Sequence, residues 1–286
     1  GGVLNIVLDP FFVLPFGLNM NIKGAAIATL ISNVVTTLYF AILLIVIRKK
    51  SVVSFSPKKA CLAIKEKIAR NVLFTGLPSA LQTMLSAVSN LVLNSLMIGY
   101  GETAEAAIGV TKKIDAVPFG MVTGLAQGAA PLIAYNNGAK KYDKMKTTLK
   151  LSLCYCVGLA ITVLIVVESA AGALIEVFIK DASTVTYGEK FLRFHCASLP
   201  FMAVTFMLVS YFQAVGAKGK AFLLSIIRKG IVDIPLMYLL NVLIPVYGIV
   251  ACQPITDVIS ATVGVILYVL WKKKFQKTEE EQEIIV

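Results

Sequence analysis

The tract GAAIATLISNVVTTLYFAILLIVI, residues 24–47, holds no charged side chain. Coiled at 1.5 Å per residue it reaches about 36 Å, longer than the roughly 30 Å hydrocarbon core of a bilayer. A second tract, LSLCYCVGLAITVLIVV at 151–167, has the same character. The whole chain agrees with them: 57% of its 286 residues are hydrophobic, 15% are charged and the mean hydropathy is +0.81. Soluble domains hold about 45–50% apolar and about 25% charged residues. The expected fold is therefore an all-α polytopic membrane protein. Spans are placed at 3–17, 24–47, 71–99, 105–135, 147–167, 190–215, 221–243 and 247–271, making eight transmembrane helices whose solvent is the lipid bilayer.

A net charge of +11 does not mark a nucleic-acid binder, because Lys and Arg collect in short runs between apolar segments instead of forming a basic face. The five cysteines (Cys61, Cys154, Cys156, Cys196 and Cys252) are odd in number, scattered, and form no CxxC pair. Neither a disulfide framework nor a zinc site is expected, and no cofactor is called for. The sequence opens directly on an apolar run, without an initiator Met or a basic leader, and is expected to begin inside a membrane helix.

Loop charge predicts orientation. Arg48, Lys49, Lys50, Lys58, Lys59, Lys65, Lys67 and Arg70 follow the second span; Lys140, Lys141, Lys144, Lys146 and Lys150 follow the fourth. Lys218 and Lys220 follow the sixth, and Lys272, Lys273, Lys274 and Lys277 the eighth. The opposite loops carry only Lys23, Lys180, Lys190 and Arg193. The positive-inside rule puts the richer set, and the C-terminal tail, in the cytoplasm. Residues 48–70 read as a basic, amphipathic cytoplasmic linker lying on lipid headgroups, and 272–286 as a charged tail.

One internal repeat stands out, at a spacing of 224 residues. VLDPFFV with IKGAAIATLISNV aligns on IVDIPLM with VYGIVACQPITDV, pairing Asp9 with Asp233, Gly24 with Gly248, Ser32 with Thr256 and Asn33 with Asp257. Parallel repeats of this kind occur in transporters built from two halves. By that register roughly 150 residues are expected to precede Gly1.

LNIVLDPFFV, IKGAAIATLIS, GLAQGAAPLIAYNNGAKKYDKMK and YFQAVGAKGKA occur here in the order seen in MATE (multidrug and toxic compound extrusion) transporters. The chain resembles that bacterial family, its DinF/MepA-like branch most of all. The resemblance implies twelve helices in two bundles of six. Residues 1–47 would then be the last two helices of a truncated N-terminal lobe, and 71–271 a complete six-helix C-terminal lobe. It implies secondary antiport at the bacterial cytoplasmic membrane, exporting amphipathic, often cationic organic compounds against entry of Na⁺ or H⁺, and no enzymatic activity. The missing N-terminal part of the same polypeptide would be the chain's obligatory partner.

Asn5 and Asp9 stand at i and i+4, so a helix puts them on one face, and Pro10 leaves the carbonyl of Ile6 without its helical donor. Such oxygens within one turn suit a proton or a Na⁺, and an acid within a membrane helix is a functional candidate by default. Thr29, Ser32 or Asn33, and Thr36 form a facing polar stripe. The resemblance carries a Na⁺/H⁺ site onto Asp9, Asn5 and Thr29, with a partner Asp in the missing part. The bland alternative for Asp9 is a helix-ending Asp-Pro paired with Lys23.

Asp233 and Asp257 are weaker candidates, since either can pair with Lys229, Lys112 or Lys113. In the third span Ser79, Gln82 or Thr83, Ser86, Asn90 and Asn94 make a polar face that lines a cavity or bonds to neighbours. Ser86 stands where one MATE subgroup has a Glu, so an ion site there is doubtful. Met202 and Phe206, from an aromatic and sulfur stripe in the sixth span, join Gln82, Ser86 and Asn90 as candidate substrate contacts. Gly120, Gly124 and Gly128 read as a helix-packing GxxxG run, Lys112 and Lys113 as snorkelling, with Lys112 able to reach Asp115, and His195 as solvent-exposed or hydrogen-bonded.

Two rival functions remain open on sequence. A lipid-linked sugar flippase of the same superfamily would need a cationic cavity for its pyrophosphate. A membrane-embedded transferase would need paired acids for Mg²⁺ at a spacing no helix here shows.

Overall fold

The computed structural model describes residues 2–14, 17–47 and 68–283, the last ten of these by backbone alone. The linker at 48–67 and Cys61 lie outside the described residues, as does the end of the tail at 284–286. Every element among the described residues is helical. The chain divides into two compact units, Gly1–Ala69 and Arg70–Val286.

In the first unit α1 (Gly2–Val13) packs along α2 (Asn21–Ile47). Between them Asn19 and Asn21 both take φ 49°, a left-handed backbone that Asn tolerates better than other non-glycine residues. The turn folds back onto α1, with Leu18 N–H donating to Phe11 C=O and Met20 N–H to Phe12 C=O, both at 2.9 Å. A Cβ at Gly24 would stand 2.5 Å from the Phe12 carbonyl oxygen, so glycine is what lets the first turn of α2 touch the end of α1.

The second unit runs α3 (Ile68–Ile98), α4 (Glu102–Gly138), α5 (Tyr142–Glu176), α6 (Ala182–Ala197), α7 (Leu199–Ala214) and α8 (Lys218–Ile226). A π-helical turn (Ile227–Val232) then leads into α9 (Asp233–Leu243) and α10 (Tyr247–Glu283). Helix α4 packs on α5, α6 and α7, presenting Val122, Ala126, Ala129 and Ile133 at the three-and-four spacing of one helical face. These meet Cys156 and Ala160 of α5 and Met207 and Phe212 of α7 in the main core. The outer surface is as apolar as the interior, with Val3, Val177 and Val242 about four-fifths exposed, which fits lipid and not water.

Five helices are long and apolar enough to cross a membrane, namely α2, α3, α4, α5 and the Tyr247–Lys273 part of α10. The pair α6 and α7, bent by 41°, makes a sixth if counted as one span. The bend falls where Pro200, with no N–H to donate, starts α7. This is an all-α polytopic membrane fold, though the expected count of eight spans is not met by length and composition. Helix α1 is a short apolar helix of 12 residues, and α8 to α9 is interrupted by the π turn and carries Arg228, Lys229 and Asp233. Helix α10 continues to Glu283, past the expected end at 271, so the charged residues after it extend the helix.

The GxxxG reading is corrected. Among the described residues a Cβ at Gly120, Gly124 or Gly128 meets nothing within 4 Å, and the packed face of α4 is the Val122 to Ile133 row. The close helix approach in this unit is at Gly248, whose Cβ would stand 2.2 Å from the Leu240 carbonyl oxygen.

Helix α6 opens on Asp181, whose Oδ2 accepts from Thr184 N–H at 2.9 Å, Thr184 Oγ1 at 2.7 Å and Ser183 Oγ at 2.5 Å. These hydrogen bonds from Ser183 and Thr184 pull its carboxyl down to about 2.

Two outcomes are expected in detergent melts. Gly248→Ala forces the α9–α10 crossing apart and costs about 1–3 kcal/mol, as overpacking does, whereas Gly124→Ala leaves the melting temperature of this unit unchanged. Asp181 has a folded pKa below its unfolded one, so its stabilisation is present above about pH 4 and lost as pH falls toward 2. The melting difference between the parent and Asp181→Ala should close over that window and stay constant above it.

Candidate cation site

In the first unit the turn between α1 and α2 returns the chain so that residues 24 apart meet. Asn5 Nδ2 donates to Asp9 Oδ1 at 3.2 Å and to Thr29 Oγ1 at 3.3 Å. The Thr29 hydroxyl itself donates to the Ala25 carbonyl at 2.9 Å, which orients its lone pairs toward α1. Asn5 and Asp9 are half-buried and Thr29 is exposed. The structure thus brings the three expected residues into one cluster. Among the described residues no basic group pairs with Asp9, and the alternative contact with Lys23 is not made. Among the described residues the hydrogen-bond partner of the carboxylate is the neutral Asn5 amide.

The second unit holds a longer buried chain of polar groups, all in contact end to end. Ser89 Oγ of α3 donates to Asp233 Oδ2 at 2.5 Å, and Lys229 Nζ donates to the same oxygen at 3.0 Å. Lys229 also donates to Gln253 Oε1 at 2.8 Å, and Gln253 Nε2 to Asp257 Oδ2 at 2.9 Å. Arg228 Nε closes the chain on Asp257 Oδ1 at 2.6 Å, with its guanidinium 4.8 Å from the Phe206 ring centroid. Arg228, Asp233 and Asp257 are all at most 1% exposed, so each charge depends on its partner. The π turn holds both bases, and such turns recur at functional positions because the extra residue re-aims side chains.

Lys229 pairs with Asp233, one of the partners expected for it. Asp257 pairs instead with Arg228, which sequence reasoning missed along with Gln253. The available signal was two adjacent bases inside a stretch taken as a span, since a base at that depth requires an acid across the helix interface.

The proposed cavity residues fare unevenly. Gln82 is buried with no partner for Nε2 among the described residues, Ser86 is half-buried and Asn90 exposed. Met202 is 3% exposed in the main core and packs there, while Phe206 is half-buried and stacks edge-on with Phe119 at 5.5 Å. Helix α3 approaches its neighbours closely at few points and is tied to them by side chains. Gln213 donates to Ser79 at 2.8 Å and Lys112 to Asn94 at 3.0 Å, and just past the helix Tyr100 donates to Asn241 at 2.6 Å. Its polar face therefore does bind neighbouring helices. Lys112 does not reach Asp115, whose Oδ2 faces Nδ1 of the buried His195 at 3.6 Å.

Each unit of this polytopic helical protein therefore holds an acid with polar partners on its apolar helices. The MatE family model matches residues 78–239, more than half of the chain, and the chain belongs to that family. The multidrug export protein MepA of Staphylococcus saprophyticus is 31% identical over 279 residues, covering 98% of this chain and 60% of that protein. MepA of Staphylococcus aureus strain N315 is 29% identical over 282 residues, covering 99% and 60%. Among solved structures, an outward-facing multidrug resistance MATE transporter of the MOP superfamily superposes at TM-score 0.83 with 24% identity, covering 96% of this chain and 61% of that one. A mutant of the Vibrio cholerae MATE transporter VcmN gives 0.82 at 20% identity, covering 95% and 60%. These relatives are transporters and export proteins, not enzymes, and the chain spans about 60% of their length.

Breaking the innermost pair should be costly. Arg228→Met leaves Asp257 buried without its counter-charge, an expected loss of about 3–5 kcal/mol, while Arg228→Met with Asp257→Leu should recover most of it. Melting of the two purified variants checks this; equal stability of the single and double variants would contradict the pairing.

Proposed function

We propose that the protein is a secondary antiporter that exports amphipathic, cationic organic compounds in exchange for Na⁺ or H⁺, with Asp9, Asn5 and Thr29 as the ion site. The observation that carries this is the Asn5 contact to both Asp9 and Thr29, which gives the carboxylate a neutral partner on an apolar helix, with no basic partner among the described residues. Such a carboxylate is stable when protonated or when bound to a cation, and costly when bare. Ion binding at Asp9 and substrate binding then favour different states of the protein, so a gradient drives cargo outward. Each positive charge moving inward contributes about 2.3 kcal/mol per 100 mV of membrane potential. The names of the MepA relatives support a multidrug cargo. On the cargo side Gln82, Ser86, Asn90 and Phe206 stay as candidate contacts, and Met202 supports them from the core. The cytoplasmic membrane, with the C-terminus inside, is the matching location.

The flippase reading would need bare positive charge for a pyrophosphate. Arg228 and Lys229 are each neutralised by an acid, which favours cation export.

The test is dye efflux from proteoliposomes holding the complete protein under an imposed Na⁺ or H⁺ gradient. Asp9→Asn keeps size and hydrogen bonding but removes the charge, so gradient-driven efflux should vanish while dye binding persists. Asn5→Ala should weaken efflux less. Undiminished gradient-driven transport by Asp9→Asn would leave Asp9 a structural helix terminator.

A further inference from the structure

At the 224-residue offset Asn5, Asp9 and Thr29 fall on Lys229, Asp233 and Gln253, and the contacts recur with them. Residue 5 donates to residue 9 at 3.2 Å and to residue 29 at 3.3 Å; residue 229 donates to residue 233 at 3.0 Å and to residue 253 at 2.8 Å. The helix crossings that create the two triangles recur as well. Gly24 N–H donates to Met20 C=O and Gly248 N–H to Ile244 C=O, and at both glycines a Cβ would strike the carbonyl of the preceding helix. The triangles differ in charge. The first sums to −1, while the second carries Lys229 where the first has a neutral amide, and sums to zero.

We propose that the Lys229 triangle is a second monovalent-cation site of this protein, filled permanently by the Lys229 ammonium in place of a free ion. The proposal rests on the reading of the Asp9 triangle as an ion site. An ammonium and a hard monovalent ion ask for the same ligands, oxygens of a carboxylate and of an amide, and Asp233 and Gln253 supply them. The groups around the ammonium leave one further positive charge, that of Lys112, beside it. Arg228 is taken up by Asp257, Ser89 donates to Asp233, the Cys252 thiol sits 3.2 Å from the Asp233 carbonyl, and Lys112 of α4 is held by Asn94. A tethered cation cannot leave, so the second unit answers to no gradient. Lys229 is thus the residue that limits the chain to one exchangeable ion position, and Lys229→Asn gives the second triangle the makeup of the first: an amide, a carboxylate and a neutral oxygen.

The experiment measures binding of radioactive Na⁺ and Rb⁺ to the complete protein purified in detergent. Asp9→Asn should bind no ion of either kind. Asp9→Asn with Lys229→Asn should bind one Na⁺ or Rb⁺ per chain, and adding Asp233→Asn should abolish it. No binding by the folded Asp9→Asn, Lys229→Asn protein, or equal binding after adding Asp233→Asn, would overturn the proposal. Ion binding retained by Asp9→Asn alone would count against the Asp9 reading instead, and the gain on adding Lys229→Asn would still decide this one. If Lys229→Asn fails to fold, the bare Asp233 carboxylate must be the cause, so Asp233→Asn added to it should restore a monodisperse protein. Failure of that rescue would equally overturn the proposal.

Discussion

A carboxylate at membrane depth must find an opposite charge, a proton or an ion, because lipid and packed side chains solvate it poorly. This chain holds three buried or half-buried acids on apolar helices and answers that demand in two ways. Asp233 and Asp257 meet Lys229 and Arg228 within hydrogen-bond distance. Asp9 meets an amide that also holds a hydroxyl. Much of the surrounding structure serves those contacts. The π turn presents two adjacent bases to two acids on different helices, and Gln253 bridges the pairs into one buried chain.

Backbone geometry makes both arrangements possible. Gly24 and Gly248 let the start of one helix press against the carbonyls ending the helix before it. That closeness brings Thr29 beside Asn5 and Gln253 beside Lys229, across 24 residues of chain in each case. A repeat whose identity is low in sequence is therefore explicit in its glycines, its turns and its polar contacts. What diverged is the electrostatics, an amide in one copy and an ammonium in the other.

The apolar tracts and the shared face of Asn5 and Asp9 were legible in the sequence, because hydropathy and i to i+4 spacing are local properties, whereas Thr29 joined them only through the family resemblance. Partners chosen by three-dimensional packing were not. Nothing local tells Asp257 to take Arg228 in place of Lys229, since the π turn that rotates the two bases apart has no sequence signature. The GxxxG run on α4 misled for a similar reason: small residues permit close approach, but the row from Val122 to Ile133 took the packed face. Likewise His195 is buried with Nδ1 facing Asp115, a partner from another helix that its own stretch of sequence does not name.

The central claim is that Asp9 has no basic partner among the described residues while Asp233 is paired with Lys229. A lipid-soluble carbodiimide, which modifies carboxyls that carry a proton within membranes, reads this directly when the labelled peptides are mapped by mass spectrometry. Labelling is predicted at Asp9, with protection by the coupling ion, and none at Asp233, whose charge is held by Lys229. Labelling of Asp233 to the same extent as Asp9, or an Asp9 that stays unmodified with and without ions, would contradict the account.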